Sequence, residues 1–131
     1  MKANKKSNQK RLLWKLFSEY IRRRDRGRCC TCGKVGAWKE MHAGHFIKAG
    51  SSPLPLYFDE QNVHCQCPNC NLNLAGNLEH YEWFLDSRYG VEAKRRLYEM
   101  QRVIVQWKSP DYENQMTIFR GKLNDLKQEG L

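Results

Sequence analysis

The chain has 131 residues, the length of a single domain, and its formal net charge is +9. Residues 1–34 carry 12 Lys and Arg against two acids, whereas residues 35–131 carry 11 against 12. A basic segment on a near-neutral body is typical of a protein that binds a polyanion, most often nucleic acid, although a solvated terminus without a ligand has the same composition.

The N-terminus has neither the apolar core nor the cleavage site of a signal peptide, and no apolar run is long enough to span a membrane. We therefore expect a cytoplasmic protein, whose thiols stay reduced. Four of the six cysteines form two Cys-x-x-Cys pairs, which favours a metal site over disulfides.

The first predicted helix covers residues 10–26 and follows a polar stretch, residues 1–9, that we expect to be disordered without DNA. Gly27 is expected to cap its C-terminus. Its apolar stripe comprises Leu12, Leu13, Leu16, Phe17, Tyr20 and Ile21. The arginines at its end are either phosphate contacts or an exposed helix end whose cations favour the dipole; they are Arg22, Arg23, Arg24, Arg26 and Arg28.

The centre of the chain predicts two zinc knuckles with a small β segment between them. Gly33 supplies the positive φ that the turn after the first cysteine pair requires. Residues 38–48 predict a strand, residues 49–55 a loop, and residues 56–58 a short strand or an apolar anchor. Residues 59–62 predict a turn, and a helix is expected to begin at residues 69–71, within the second knuckle.

Helices follow to the end of the chain. Gly76 interrupts the pattern, Asn77 caps the next helix, and Tyr89-Gly90 closes it. The inner face of that helix carries Tyr81, Phe84 and Leu85. Residues 91–107 predict one long helix whose apolar face comprises Ala93, Leu97, Met100, Ile104 and Trp107.

The last helix is predicted over residues 111–127, with Ser109 as its cap and Pro110 at its first position. Its apolar seam has the spacing of a coiled coil and comprises Tyr112, Met116, Phe119, Leu123 and Leu126. The seam predicts either a hairpin that folds back on residues 91–107, which we favour, or a homodimer interface. We expect one compact domain overall, made of a basic arm and helix (1–28), a core (29–90) and a helical hairpin (91–131).

The two cysteine pairs predict one tetrahedral zinc site of four thiolates, formed by Cys29, Cys32, Cys67 and Cys70. The 34 residues between the pairs must fold as a unit, and Cys30 and Cys65 are spare. A pairing of Cys65 with Cys67 is a poor alternative. A complete thiolate shell leaves no open position, so this zinc is expected to be structural.

Three histidines, His42, His45 and His64, fall between the cysteine pairs, together with Asn62, and Asn71 directly follows Cys70. Hydrolysis of DNA needs a base for water and a divalent cation for the phosphate. Neutral imidazole suits the base near pH 7, and a site with few protein ligands leaves room for Mg²⁺ or Mn²⁺. The zinc knuckle would fix the Asn71 carbonyl oxygen as a ligand.

The order Cys-x-x-Cys, Gly44-His45-Phe46-Ile47, Asn62, Cys-x-x-Cys-Asn resembles the HNH, or ββα-metal, nucleases, among them phage junction resolvases of the endonuclease VII type. The fuller pattern resembles the lambda-type phage recombination nucleases called NinG or Rap. It spans residues 28–97 and comprises Trp38 to Phe46, Phe58 to His64, Gln66-Cys67, Cys70-Asn71 and Gly76-Asn77-Leu78.

The resemblance implies an α+β protein with a ββα-metal core, and, for a phage protein, the host cytoplasm. It implies that His45 is the general base, that Asn62 orients His45 by a hydrogen bond, and that Asn71 binds the catalytic cation. Gly44 stands where many such sites have an Asp or His ligand. The lambda-type pattern has Asp or His three places before the base, a place that His42 occupies, so the resemblance assigns His42 as the second ligand. On a regular strand His42 and His45 would face opposite sides, so a bulge at residues 43–44 would be needed.

Three more residues are assigned near this site, two of them with alternatives. Asp59 is a metal ligand or, as we favour, the side-chain cap of a turn, and His64 supports either the site or the core. Lys48 is expected to contact DNA together with the arginines.

We interpret the chain as a metal-dependent, structure-specific DNA endonuclease. The family resemblance implies that its substrates are Holliday junctions, D-loops and three-way junctions. The alternatives are a non-catalytic zinc module that binds branched or single-stranded DNA, and a regulatory zinc protein without DNA affinity.

Overall fold

The computed structural model describes residues 5–131, and this part of the chain contains five α-helices and one two-stranded sheet. The helices are α1 (Lys5–Arg24), α2 (Leu54–Tyr57), α3 (Leu78–Tyr89), α4 (Val91–Met100) and α5 (Ser109–Gln128). The strands are β1 (His42–His45) and β2 (Val63–Gln66), so the predicted mixture of helix and strand is confirmed. No helix among these residues combines the length and apolar composition that a membrane crossing requires.

Helix α1 begins at Lys5, so residues 5–9 are helical although the sequence predicted disorder there; residues 1–4 lie outside the described part of the chain. Its C-terminus is closed by two hydrogen bonds, from Arg26 N to Arg23 O and from Gly27 N to Arg22 O. Gly27 has a φ of +67°, and a Cβ there would lie 1.9 Å from Gly36 O. The left-handed residue that closes the helix is Arg26, with a φ of +54°, so Arg26 takes the capping position that the sequence assigned to Gly27. Gly27 donates the second closing hydrogen bond and lets the first knuckle approach.

The main core is formed where α1 packs on α5 and on the two strands. It contains Leu13, Phe17, Ile21, Phe58, Val63, Tyr112, Met116 and Phe119. The Phe17 and Phe119 rings meet edge to face, with centroids 4.9 Å apart. The predicted hairpin of α5 on residues 91–107 is therefore wrong, because the apolar stripe of α1 covers the α5 seam.

Helix α4 is shorter than predicted and ends at Met100, while residues 103–108 belong to no helix or strand. Ile104, which was assigned to the buried face, is 99% exposed. The run Val103-Ile104-Val105 explains the end of the helix, because β-branched side chains lose rotamer freedom in a helix. Helix α4 packs instead on α3, through a second core that includes Leu85 and Leu97.

The sheet is a regular antiparallel pair with His42 opposite Gln66 and His45 opposite Val63. The predicted strand over residues 38–48 is thus reduced to four residues, after a 3₁₀ turn at Trp38–Glu40. Residues 56–58 form no strand: they belong to the end of α2 and its cap, and Leu56 and Phe58 anchor it in the core. A π-helical turn, Asn69–Asn73, connects the second knuckle to α3.

Candidate metal centre and hydrolytic site

The four cysteines that the sequence paired come together into one cluster. The Sγ atoms of Cys29, Cys32, Cys67 and Cys70 all lie within 4.8 Å of one another. Sγ of Cys32 and Sγ of Cys67 are 3.7 Å apart, close to the roughly 3.8 Å edge of a tetrahedron with zinc–sulfur bonds of about 2.3 Å. The cluster can therefore hold a zinc ion.

Polar groups around the cluster favour thiolates. Burial raises the pKa of Cys29, but hydrogen bonds from Thr31 and from backbone N–H groups outweigh it and lower that pKa to about 6. Asn77 Nδ2 donates to Cys70 Sγ at 3.6 Å, and the Cys70 N–H donates to Cys67 Sγ at 3.4 Å. Asn77 occupies the predicted N-cap position of α3, although its side chain does not cap the helix backbone.

Cys30 and Cys65 lie outside the cluster, as the spacing predicted. The backbone of Cys30 donates to the carbonyl of Cys65 at 2.9 Å, which joins the first knuckle to β2. Burial raises the pKa of Cys65 to about 12 and that of Cys30 well above its ordinary value, so both thiols stay protonated.

His42 and Asn71, the two residues assigned to the catalytic cation, touch each other. His42 Nδ1 and Asn71 Nδ2 are 3.0 Å apart. The π-helical turn places Asn71 here, because its first residues include the zinc-cluster cysteine Cys70. An imidazole nitrogen and an amide thus converge at one point beside β1, and the amide oxygen of Asn71 is a suitable ligand for a hard cation.

His45 lies on the other face of β1, since the sheet register is regular and the expected bulge at residues 43–44 is absent. Two clefts therefore flank the strand. One is lined by His42 and the other by His45, and both are lined by Ala43 and Asn71. Asn71 and Ala43 form the wall between them, so the base candidate and the ligand candidates are neighbours without the bulge.

The His45 ring is fixed by two neighbours that the sequence did not reveal. Trp14 of α1 stacks on it, with ring centroids 5.2 Å apart and planes 16° apart. His45 Nε2 lies 2.9 Å from the carbonyl oxygen of Tyr57. A carbonyl only accepts hydrogen bonds, so Nε2 carries the proton and Nδ1 keeps a free lone pair. Burial lowers the pKa of His45, which keeps the ring neutral near pH 7.

Asn62 does not make the predicted hydrogen bond to His45. Its buried side chain accepts from the Ile47 N–H at 2.8 Å and donates to the Ile47 and Leu56 carbonyls at 3.2 Å each. Asn62 therefore ties the end of β1 to α2, whose last residue, Tyr57, provides the carbonyl that orients His45. Its effect on the base is indirect, through the backbone.

His64 belongs to the core. Its Nδ1 is 3.2 Å from the Tyr81 hydroxyl and its Nε2 is 2.7 Å from the Tyr89 hydroxyl. Tyr81 donates to Gly44 O at 2.7 Å, so it accepts from Nδ1, and Nε2 accepts from Tyr89. Burial lowers the pKa of His64 to about 2, and the ring is neutral.

Asp59 is the turn cap that we favoured over a metal ligand. Its Oδ1 accepts from the Gln61 N–H at 2.8 Å. Both of its carboxylate oxygens also accept from Arg96, at 2.9 Å each, which attaches α4 to the turn before β2.

The predicted DNA-binding cations fall into three groups. Arg22 lines the His42 cleft and Lys48 lines the His45 cleft. Arg26 and Arg28 are exposed and line a separate cleft with Arg88. Arg23 and Arg24 are engaged within the chain, with Glu19 and the Leu131 carbonyl and with Asp25, Glu60 and Val63, respectively.

Two further cations, which the sequence did not single out, border the same site. Lys39 lines the His42 cleft, and Lys10 lies over the Tyr57 ring at 4.6 Å, next to His45. Among the described residues that line the two clefts, none is acidic. The clefts are therefore suited to a polyanion.

A family model described as Bacteriophage Lambda NinG protein matches residues 1–129. Relatives named Protein ninG include that of Salmonella phage P22, 33% identical over 109 residues, and that of Escherichia phage lambda, 34% identical over 109 residues. Each alignment covers 82% of this chain and 52% of the relative, so the chain spans about half the length of these relatives. The protein of Enterobacteria phage H19B is 39% identical over 74 residues, which is 56% of this chain and 36% of that protein. No solved structure matches.

Proposed function

The chain belongs to the bacteriophage lambda NinG family, and from this premise we propose that it is a metal-dependent DNA endonuclease of the HNH, or ββα-metal, type. The observation that carries the proposal is the placement of three side chains around β1. His42 and Asn71 touch on one side of the strand, and His45 presents an unprotonated nitrogen on the other. The two clefts on either side of the shared wall are lined by cations, and none of their described lining residues is acidic.

His45 is the general base. Its Nε2 proton is held by the Tyr57 carbonyl, so Nδ1 accepts the proton of the attacking water. Trp14 stacks on the ring and restricts its rotation, which fixes the orientation of Nδ1. Lys48 and Arg22 bind the phosphates on either side of the wall.

His42, through Nδ1, and Asn71, through Oδ1, are the residues that would hold the catalytic cation. Mg²⁺ or Mn²⁺ there would supply positive charge for the phosphate and the leaving oxygen. The four cysteines would hold a zinc in a structural role, because four thiolates would complete its shell and leave no position for water. The zinc cluster positions Asn71, since Cys70 directly precedes it.

The substrate class that we propose is branched DNA: Holliday junctions, D-loops and three-way junctions. Contacts to phosphates carry no sequence information, which suits recognition of shape. A homodimer through the C-terminal helices, which symmetric cutting of a junction would favour, stays a prediction. Such a dimer would have to use a face of α5 other than the seam packed on α1.

The alternative is a non-catalytic zinc module that binds branched or single-stranded DNA, and Gly44, where a ligand was expected, is the feature that favours it. A synthetic four-way junction separates the two functions. We expect the wild-type protein to cut it with Mg²⁺, to stop in EDTA and to resume when Mg²⁺ is returned. His45→Ala should lower the cleavage rate by about 10²- to 10⁴-fold, the usual contribution of a general base.

The matched control is His80→Ala, which removes an exposed histidine of α3 away from both clefts. It should cut at the wild-type rate. Zinc content and junction affinity in a gel shift without Mg²⁺ should be equal for all three proteins. A wild-type protein that shifts the junction but leaves it intact would establish the binding module instead, and a His45→Ala protein that cuts normally would remove His45 from the mechanism.

A further inference from the structure

Gln66, the last residue of β2, is fully buried between the zinc cluster and the candidate cation site. Its Nε2 donates to the Gly76 carbonyl at 2.8 Å and to the Thr31 hydroxyl at 3.2 Å, so both amide hydrogens are used. The Gly76 carbonyl can only accept, which requires the nitrogen of the amide to face it. The orientation of the Gln66 amide is therefore fixed, and its oxygen points the other way.

The Gln66 Oε1 atom is buried and has no hydrogen-bond partner in the described part of the chain. It points at the site: a Cβ built on Gly44 would lie 1.9 Å from Gln66 Oε1 and 3.0 Å from Asn71 Oδ1. Two acceptor oxygens thus approach the same space beside Gly44. A buried acceptor without a hydrogen-bond donor is unfavourable. We therefore expect a donor to face Gln66 Oε1, and the NH₂ group of the Asn71 amide can be that donor.

The oxygen and the nitrogen of a carboxamide have nearly the same size and position, so the hydrogen-bond partners decide which of them faces which neighbour. A half-turn of the Asn71 amide brings Nδ2 to the side of Gln66 Oε1 and Oδ1 to the side of His42 Nδ1. The first contact satisfies the buried oxygen. The second brings together an oxygen and a nitrogen with free lone pairs, which is a donor set for a divalent cation.

We propose that Gln66 is the positioning residue of this cation site: Asn71 Nδ2 donates to Gln66 Oε1, and Asn71 Oδ1 is thereby presented to the cation beside His42. The inference rests on the proposed function. It also explains Gly44, because any side chain there would displace the Gln66 oxygen. Position 44 has no side chain that could bind the metal. In its place, the Gln66 amide on the neighbouring strand orients Asn71, which does bind it.

The test measures Mn²⁺ binding by the electron paramagnetic resonance signal of free Mn²⁺, in two backgrounds. Gln66→Met keeps the size of the side chain and removes the oxygen. With Asn at position 71 we expect it to weaken Mn²⁺ binding about 10- to 100-fold, as loss of an outer hydrogen bond to a ligand does. In the Asn71→Asp background the two carboxylate oxygens are equivalent and need no orientation, so Gln66→Met should change the affinity by less than about threefold.

Gln101→Met, at an exposed glutamine, is the control and should leave Mn²⁺ binding unchanged. Zinc content and thermal unfolding are measured for every variant. An equal loss in both backgrounds, or no loss in either, overturns the positioning role. A wild-type protein without Mn²⁺ affinity overturns the cation site of the proposed function, and with it this inference, whereas tight wild-type binding with no Gln66 effect overturns this inference alone.

A second measurement does not depend on folding of the variants. In crystals of the wild-type protein soaked with Mn²⁺, we expect the metal on His42 and on one end of the Asn71 amide. The other end should lie about 3 Å from Gln66 Oε1, the distance of a normal hydrogen bond. A Mn²⁺-bound Asn71 whose free amide end points away from Gln66 contradicts the proposal.

Discussion

At the scale of single residues, the environment of His45 decides its protonation state. Burial lowers the pKa of the ring, the hydrogen bond to the Tyr57 carbonyl raises it, and the charge of Lys10 lowers it. The depressed pKa gives the unprotonated ring at neutral pH that a general base requires. The same hydrogen bond selects the tautomer, so Tyr57 influences both the charge and the direction of the base through a backbone atom.

Lys10→Met is expected to raise the pKa of His45, because it removes a positive charge that disfavours the protonated ring. The acid limb of the cleavage rate should therefore move to higher pH, while the rate well above that limb stays the same. The shift is measured directly by an NMR titration of the His45 ring without DNA.

Lys15→Met removes an equal charge from an exposed position of the same helix and should leave the His45 titration in place. If both variants move the titration equally, the effect is one of net charge. If Lys10→Met moves it to lower pH, the assigned interaction has the wrong sign.

The chemistry of some site residues could be predicted from sequence and that of others could not, for a physical reason. The cysteines are recognisable because a spacing of two residues within each pair lets both thiolates bind the same metal ion. Gln66, Trp14 and the Tyr57 carbonyl could not be recognised, because their roles depend on contacts across the fold. The one pointer to Gln66 was its place in the family pattern, directly before Cys67.

At the scale of secondary-structure elements, periodicity indicated which faces are buried but not what covers them. Four of the five residues predicted for the seam of α5 are at most 7% exposed, namely Tyr112, Met116, Phe119 and Leu123, whereas Leu126 is half-buried. The partner of the seam was not assigned correctly, since a helix face of this length fits a hairpin, a dimer or a distant helix equally well. Helix α5 pairs with α1, which lies about a hundred residues earlier in the sequence, and no local sequence pattern encodes a contact at that separation.

Phe119→Ala tests the packing of α5 on α1. Its ring is 3% exposed and packs edge to face on Phe17, so we expect the free energy of unfolding to fall by about 3–5 kcal/mol in a urea titration. The neighbouring Ile118 is 46% exposed, and Ile118→Ala should cost less than about 1 kcal/mol.

The protein concentration distinguishes an intramolecular core from a dimer seam. For packing within one chain, the midpoint of the Phe119→Ala and wild-type titrations is independent of concentration, whereas a dimer becomes more stable as concentration rises. If the wild-type midpoint depends on concentration and Phe119→Ala removes that dependence, the seam is a dimer interface.

At the scale of the whole molecule, the cysteine cluster joins parts of the chain that the two cores do not. It links the segment after α1 to the segment before α3, and the buried group around it contains Cys29, Met41, Cys65, Cys67 and Cys70. The loop between the two pairs carries β1, α2 and β2, and hence most of the candidate site. Order in the site should therefore depend on the metal.

Loss of zinc is expected to remove the cooperative unfolding of this region, because a structural zinc contributes its binding free energy to folding, about 10–16 kcal/mol in small zinc domains. Wild-type protein should contain one zinc per chain. Cys70→Ser should lose the zinc and lower the melting temperature sharply, as measured by metal analysis and calorimetry.

Cys30→Ala changes a thiol outside the cluster and should keep the zinc. Equal zinc content in the two variants would mean that the four-thiolate assignment is wrong. A zinc-free Cys70→Ser protein that melts as the wild type does would mean that the metal contributes little to the fold.

Under the proposed function, the cations that line the two clefts would contact the DNA backbone. Lys48 and Arg22 lie on opposite sides of the wall formed by Ala43 and Asn71, so one strand that crosses β1 would meet both. Each phosphate contact releases about one counterion, so the affinity for DNA should fall steeply with salt concentration.

Lys48→Gln should weaken binding to a four-way junction. It should also reduce, by about 1, the slope of the logarithm of the association constant against the logarithm of the salt concentration. Arg95→Gln removes the same charge from the surface of α4, outside both clefts, and should leave the slope unchanged. Since the two variants have equal net charge, equal slopes would show that the field of the whole protein attracts DNA, and a smaller slope for Lys48→Gln alone would place the phosphate at the cleft.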